Sequence, residues 1–179
     1  MRSSSLALMP FEAEHRLRAF NLDTQVWRRT GSLEICYQLQ GPIEALVLPA
    51  PAEQPRRLDD LWQSTCFEAF IALAGSPAYW EINLSPTGDW NVYRLTDYRQ
   101  DLEPEPACDS LAFSSKRNAT SIELTVGLDL GLINPAGQPL EVAVAAVIEE
   151  RAVALSHWAL AHPAPVADFH HRGGFVLRV

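Results

Sequence analysis

Between Leu58 and Arg99 the chain gathers residue types suited to holding a small ring-shaped ligand. The stretch opens Arg57-Leu58-Asp59-Asp60-Leu61-Trp62 and continues Thr65-Cys66-Phe67-Glu68-Ala69-Phe70, then Tyr79-Trp80-Glu81-Ile82-Asn83-Leu84-Ser85-Pro86. Past a Gly-containing turn follows Asp89-Trp90-Asn91-Val92-Tyr93-Arg94. Three of the five tryptophans lie here, beside carboxylates and amides. An indole face stacks on a ring, while Glu, Asn and Arg hydrogen-bond its edge. None of this requires bond-making chemistry, so the residues point first to binding.

Catalytic signatures are scarce. The sequence has no Gly-x-Ser-x-Gly elbow, no Gly-rich phosphate loop, no His-Glu-x-x-His and no Cys-x-x-Cys. Glu68 with Glu81 is a remote candidate for the two carboxylates of a glycoside hydrolase. A Cys66–His157 thiol dyad is more remote still. His170 and His171 are adjacent, so on a strand they would face opposite ways and not share one metal. Haem ligation would need His157, His162 or His170 with a second His or with Met9, the only internal methionine. Asp59, Asp60 and Asp101 are oxygen ligands for a structural Ca²⁺, although no loop has the ligand density of a calcium site. The expectation is therefore no cofactor, with haem or Ca²⁺ as the alternatives.

Positioning these residues falls to short alternating runs punctuated by Pro and Gly. Strands are expected over Leu6–Phe11, Ser32–Leu39, Ile43–Leu48, Thr65–Leu73, Ala78–Leu84 and Trp90–Leu95. Further strands are expected over Leu111–Ser115, Ser121–Val126, Leu140–Glu149, Val153–Leu160 and Phe175–Arg178. Helix is limited to turns around Leu58–Trp62 and Leu128–Leu132. This pattern predicts an all-β fold, a β-sandwich or jelly-roll-like architecture, forming one domain over residues 1–179.

The hairpin Tyr79–Leu95 fixes a register. With Ser85–Asp89 as its loop, Leu84 pairs with Trp90, Asn83 with Asn91, Ile82 with Val92 and Glu81 with Tyr93. Side chains alternate, so Trp80, Ile82, Leu84, Trp90 and Val92 form an apolar face, and Tyr79, Glu81, Asn83, Asn91 and Tyr93 a polar-aromatic one. A one-residue slip would mix the two sets. Glu68 sits mid-strand among apolar neighbours, where a carboxylate is costly unless partnered. It should join the polar face, leaving either a cleft there or Arg57 or Arg94 bridging Glu68 and Glu81. Trp80 and Trp90 read as core. Trp62 either caps the core or faces a ligand, and Trp27 has no nameable partner.

Composition bounds the function further. The chain has 179 residues, 47% hydrophobic and 20% charged, with net charge -8. Such a balance, with no Lys/Arg cluster, argues against a nucleic-acid surface. No apolar run is long enough for a membrane span, and the N-terminal one is too short for a signal peptide, so a cytoplasmic protein is expected. Cys36, Cys66 and Cys108 are odd in number without metal-like spacing, as for free thiols in a reducing compartment.

The motifs Leu61-Trp62, Thr65-Cys66-Phe67-Glu68-x-Phe70, Tyr79-Trp80-Glu81-x-Asn83-x-Ser85-Pro86 and Trp90-Asn91-x-Tyr93 resemble the DOMON-like group, which is related to type 9 carbohydrate-binding modules. Trp158-Ala159-Leu160-x-His162-Pro163, Asp168-Phe169-His170 and Phe175 resemble its C-terminal pattern, so the likeness runs from about Met9 to the end. The resemblance implies a β-sandwich holding a sugar or, in some branches, haem. By position it makes Trp62 one wall of a sugar site, Trp158 a second wall, and Glu68 a hydroxyl acceptor. The ligand-binding set expected from residues and resemblance together is Trp62, Glu68, Glu81, Asn83, Asn91, Tyr93, Arg57, Arg94, Trp158 and His157, with a small sugar as partner.

Overall fold

A computed structural model describes residues 5–12, 20–51, 53–134, 137–151 and 155–179. Its strands are β1 Leu6–Pro10, β2 Asn21–Arg29, β3 Ser32–Gln40, β4 Cys66–Leu73, β5 Tyr79–Leu84 and β6 Trp90–Leu95. They continue with β7 Glu103–Pro104, β8 Ala112–Arg117, β9 Ser121–Asp129, β10 Leu140–Glu149, β11 Leu155–Ala159 and β12 Leu177–Arg178. One short helix, α1, spans Leu130–Ile133.

The strands form a curled antiparallel sheet in the order β7-β6-β5-β4-β10-β11-β1-β2-β3-β9-β8, with β12 added beside β10. β1 is the corner. Leu6, Ala7 and Leu8 pair with β2, while Met9 and Pro10 pair with β11, so one strand serves both layers of the sandwich. Between the layers, the inward set of β3 and β9 (Leu33, Ile35, Tyr37, Leu39, Ile122, Leu124, Val126) meets Phe67, Ala69, Ile71, Ile82, Leu84, Val142 and Val144. Trp90 and Trp158 belong to this core and Trp80 packs at its edge.

β2 was not expected from the sequence. Its inward positions Leu22, Thr24 and Val26 are buried, but Asp23, Gln25 and the Arg28-Arg29 pair dilute its apolar signal. Conversely, the strand expected at Ile43–Leu48 is a 3₁₀ turn over Ile43–Ala45. An isolated bridge from Leu46 to Glu150 follows it. Gly41-Pro42 holds the chain in a turn there, and the backbone of Ile43 and Val47 finds partners in Ala119 and Glu149 instead of a full ladder. Val153 and the turn residues Pro135 and Ala136 lie outside the described residues.

The layer carrying β4, β5 and β10 is buried on both faces, which explains why Thr65–Leu73 does not sort cleanly by polarity. Its outer face holds a second apolar cluster, including Phe70, Tyr79, Tyr93, Ala143, Ala145, Ala159 and Phe175. Small alanines on β10 and β11 leave room above the sheet for two segments to cross it.

Candidate functional site

Two straps cross the outer face and leave a cleft between them. The first, Arg56 to Gln63, runs beside β6 through a parallel bridge from Arg57 to Trp90. Asn91 Nδ2 donates to Leu58 O at 3.1 Å and Asp59 Oδ1 at 3.0 Å, and Tyr93 Oη donates to Asp59 Oδ1 at 2.7 Å. The second strap is the C-terminal segment carrying Asp168-Phe169-His170. Asp168 accepts from Tyr98 Oη at 2.8 Å and from the Arg99 guanidinium at 2.9 Å, tying that strap to the loop after β6. His170 Nδ1 meets Tyr79 Oη at 2.8 Å, and Arg172 pairs with Glu141 at 2.6 Å.

The cleft encloses about 490 Å³, within the usual range for small-molecule sites. Glu68 and Glu81 line its floor, Trp62 one rim, and Phe169 with His170 the other strap; Arg99, Leu102, His157 and Leu155 complete the walls. The expected hairpin register holds residue for residue. β4 lies beside β5 with Glu68 directly opposite Asn83 and Phe70 opposite Glu81, so the polar groups share one sheet face as parity demands.

The floor is under-satisfied. Glu68 is 3% exposed, Glu81 4% and Asn83 1%. Asn83 Nδ2 donates to Glu81 Oε1 at 2.8 Å, but Glu68 Oε1, Glu81 Oε2 and Asn83 Oδ1 accept no hydrogen bond. Burial pushes the Glu68 carboxyl well above its ordinary range, and the neighbouring Glu81 charge adds to the shift. Glu81 is raised chiefly by burial, opposed by the Asn83 amide and the Arg99 charge. His170 is pushed down to about 4, mainly by burial and then by Arg99. Its Nε2 stands 3.8 Å from Glu81 Oε2, too far for a hydrogen bond.

Of the expected site residues, the structure brings Trp62, Glu68, Glu81 and His157 to the cleft lining, and Asn83 lies behind them on the same sheet face, opposite Glu68. Asn91 and Tyr93 lie on the same face but are covered by the first strap, which they hold in place. Of the two alternatives expected here, a cleft or an arginine bridging Glu68 and Glu81, the structure has the cleft. Arg57 binds Asn91 Oδ1 at 2.8 Å and the carbonyls of Cys108, Val92 and Glu105, with its guanidinium 5.4 Å from the Trp90 ring centroid. Arg94 lies opposite Trp80, one position off the polar face, and pairs with exposed Glu103 at 2.8 Å. Trp158 is not a second wall: it is 4% exposed in the inter-layer core, with Nε1 donating to Ser156 Oγ. His157 and Trp158 are neighbours on β11, so bringing the first to the cleft sends the second inward.

Trp62 remains 49% exposed, so it does not cap the core. Arg99, Leu102 and Phe169 are cleft residues that the sequence left unassigned, and His170, weighed there only as a metal or haem ligand, joins them. The Asp168-Phe169-His170 motif was a visible signal, but its position depends on a long-range return of the chain. Met9 presents its carbonyl, not its sulfur, to His162. Among the described residues no three His, Cys, Asp or Glu side chains are grouped to hold a metal ion.

No protein-family model matches the chain, and no curated protein matches it significantly. Solved structures do share its fold. A crystal structure from Bacteroides uniformis ATCC 8492, provisionally described as a carbohydrate-binding protein, superposes with TM-score 0.69 at 12% identity, covering 96% of this chain and 84% of that one. A family 9 carbohydrate-binding module from Caldicellulosiruptor kristjanssonii, in complex with cellotriose, superposes with TM-score 0.57 at 11% identity, covering 91% and 75%. The chain therefore has the β-sandwich fold of the family 9 carbohydrate-binding modules.

Proposed function

We propose that the protein binds a small carbohydrate in the cleft beneath Trp62, without catalysing a reaction on it. The observation that supports this best is the set of three buried acceptors, Glu68 Oε1, Glu81 Oε2 and Asn83 Oδ1, left without donors beside an exposed indole. A buried polar atom without a partner costs about 1–3 kcal/mol, so a ligand that donates hydrogen bonds there recovers what folding gave up. Sugar hydroxyls are such donors, and the apolar face of a pyranose suits stacking on Trp62. The sandwich shared with sugar-binding modules fits this reading.

Calorimetry against a panel of mono- and disaccharides tests it. At least one sugar should bind more tightly than about 1 mM, and Trp62→Ala should weaken that binding. If no sugar reaches this affinity, or if the variant binds as well as the parent, the reading is wrong.

A further inference from the structure

Resting on the sugar-binding reading of the cleft, we infer that its preferred ligand is an amino sugar, with a protonated amine seated among Glu68, Glu81 and Asn83. The three unpartnered atoms are carboxyl oxygens of Glu68 and Glu81 and the amide oxygen of Asn83, and with both carboxyls ionised all three are acceptors. They belong to adjoining positions: Glu68 opposes Asn83 across the β4–β5 ladder, and Asn83 is bonded to Glu81 two residues earlier on the same face. An ammonium group carries three N–H donors and no acceptor, matching this set in number and kind.

Charge points the same way. The cleft is lined by the carboxyls of Asp60, Glu68 and Glu81 against one guanidinium, Arg99, which is itself paired with Asp168 at 2.9 Å. Arg57 is held by Asn91 and three backbone carbonyls, and Arg94 by Glu103. Among the described residues, the two neighbouring buried carboxyls thus lack a cation of their own. A neutral hydroxyl leaves ionisation of both carboxyls opposed by their mutual repulsion, whereas an ammonium stabilises the doubly ionised pair and hydrogen-bonds to it. A metal ion is a poorer occupant, because no metal-sized group of His, Cys, Asp or Glu exists among the described residues and the Asn83 amide nitrogen is directed at Glu81. Trp62, half-exposed at the rim, favours an amine borne on a sugar ring over a bare alkylamine, through stacking and attraction of the cation to the indole.

The test is calorimetry of the full chain with glucosamine, glucose, N-acetylglucosamine and n-butylamine near pH 6, below the ordinary range of an amine. Glucosamine should bind about tenfold or more tightly than glucose or the N-acetylated sugar, since charge-assisted hydrogen bonds are roughly twice as strong as neutral ones. Glu68→Gln and Glu81→Gln should each draw the glucosamine-to-glucose ratio toward one. In the unmodified protein the same ratio should collapse as pH rises past the amine, a readout that needs no variant to fold. Equal binding of glucose and glucosamine overturns the amine inference and leaves the sugar reading standing. Binding of n-butylamine as tight as glucosamine overturns the amino-sugar assignment, and failure of every sugar removes both readings.

Discussion

Replacing Glu68 by leucine should make the protein more stable while abolishing its ligand binding. The Glu68 carboxyl lies between Ala145 of β10 and Asn83 of β5, fully buried, with Oε1 unpartnered. Removing it deletes an unsatisfied polar atom, worth about 1–3 kcal/mol, and sacrifices no hydrogen bond at Oε1. A leucine of similar volume has a repacking cost below about 1.5 kcal/mol. The net gain is on the order of 1–2 kcal/mol, or a rise in Tm of roughly 2–8 °C for a chain this long. The gain should also depend on pH. The native state holds the Glu68 proton more tightly than the unfolded chain, so wild-type stability is full below the ordinary value of 4.5 and declines as pH rises toward the elevated native value. Glu68→Leu removes that decline, and its advantage should widen between acid and mildly alkaline pH. Thermal and urea unfolding at several pH values would show it. A variant less stable than wild type at alkaline pH would refute the argument, because it would mean that Glu68 is held by a partner after all.

Other perturbations separate strap, core and cleft. Arg57→Ala strips donors from Asn91 and three carbonyls and should cost about 2–4 kcal/mol by urea denaturation; Arg57→Lys should recover little, since an ammonium cannot span a planar fork. Tyr37→Phe deletes the buried 2.8 Å hydrogen bond to Glu68 O and should lower stability by about 1 kcal/mol or more without changing ligand affinity. His170 should titrate near 4 by NMR; because the unfolded chain takes up that proton from about 6.5 downward, stability should fall over the window from 6.5 to about 4, and a titration near 6.5 would contradict its burial.

The hairpin Tyr79–Leu95 was legible because its two faces differ in kind: Ile82, Leu84 and Val92 against Glu81, Asn83 and Asn91 admit one register. Glu68 was expected on that polar face because sequential strands usually pair, and it lies opposite Asn83. Parity also contained the correction to Trp158, since a strand that offers His157 to the cleft must send its neighbour to the core. What the sequence hid depends on tertiary return. Arg99 adopts a left-handed backbone, with φ of 53°, in the loop after β6 and meets Asp168 across 69 residues, and no local pattern announces that meeting. Arg57 looked like a ligand-binding cation, yet the Asn91 side chain and the carbonyls of Val92 in β6 and of Glu105 and Cys108 in the segment after β7 claim it. β2 escaped notice because its alternation is polar on the outside and includes Thr24 on the inside, which is satisfied through Cys36 O.

The most direct test of the central claim is a crystal structure soaked with the tightest-binding monosaccharide of the panel. The account predicts the sugar ring against Trp62, with donor groups within hydrogen-bond distance of Glu68, Glu81 and Asn83. A saccharide seated elsewhere, such as the apolar crevice bounded by Trp80, Leu128 and Ile133, with the Glu68 carboxyl still unpartnered, would contradict it.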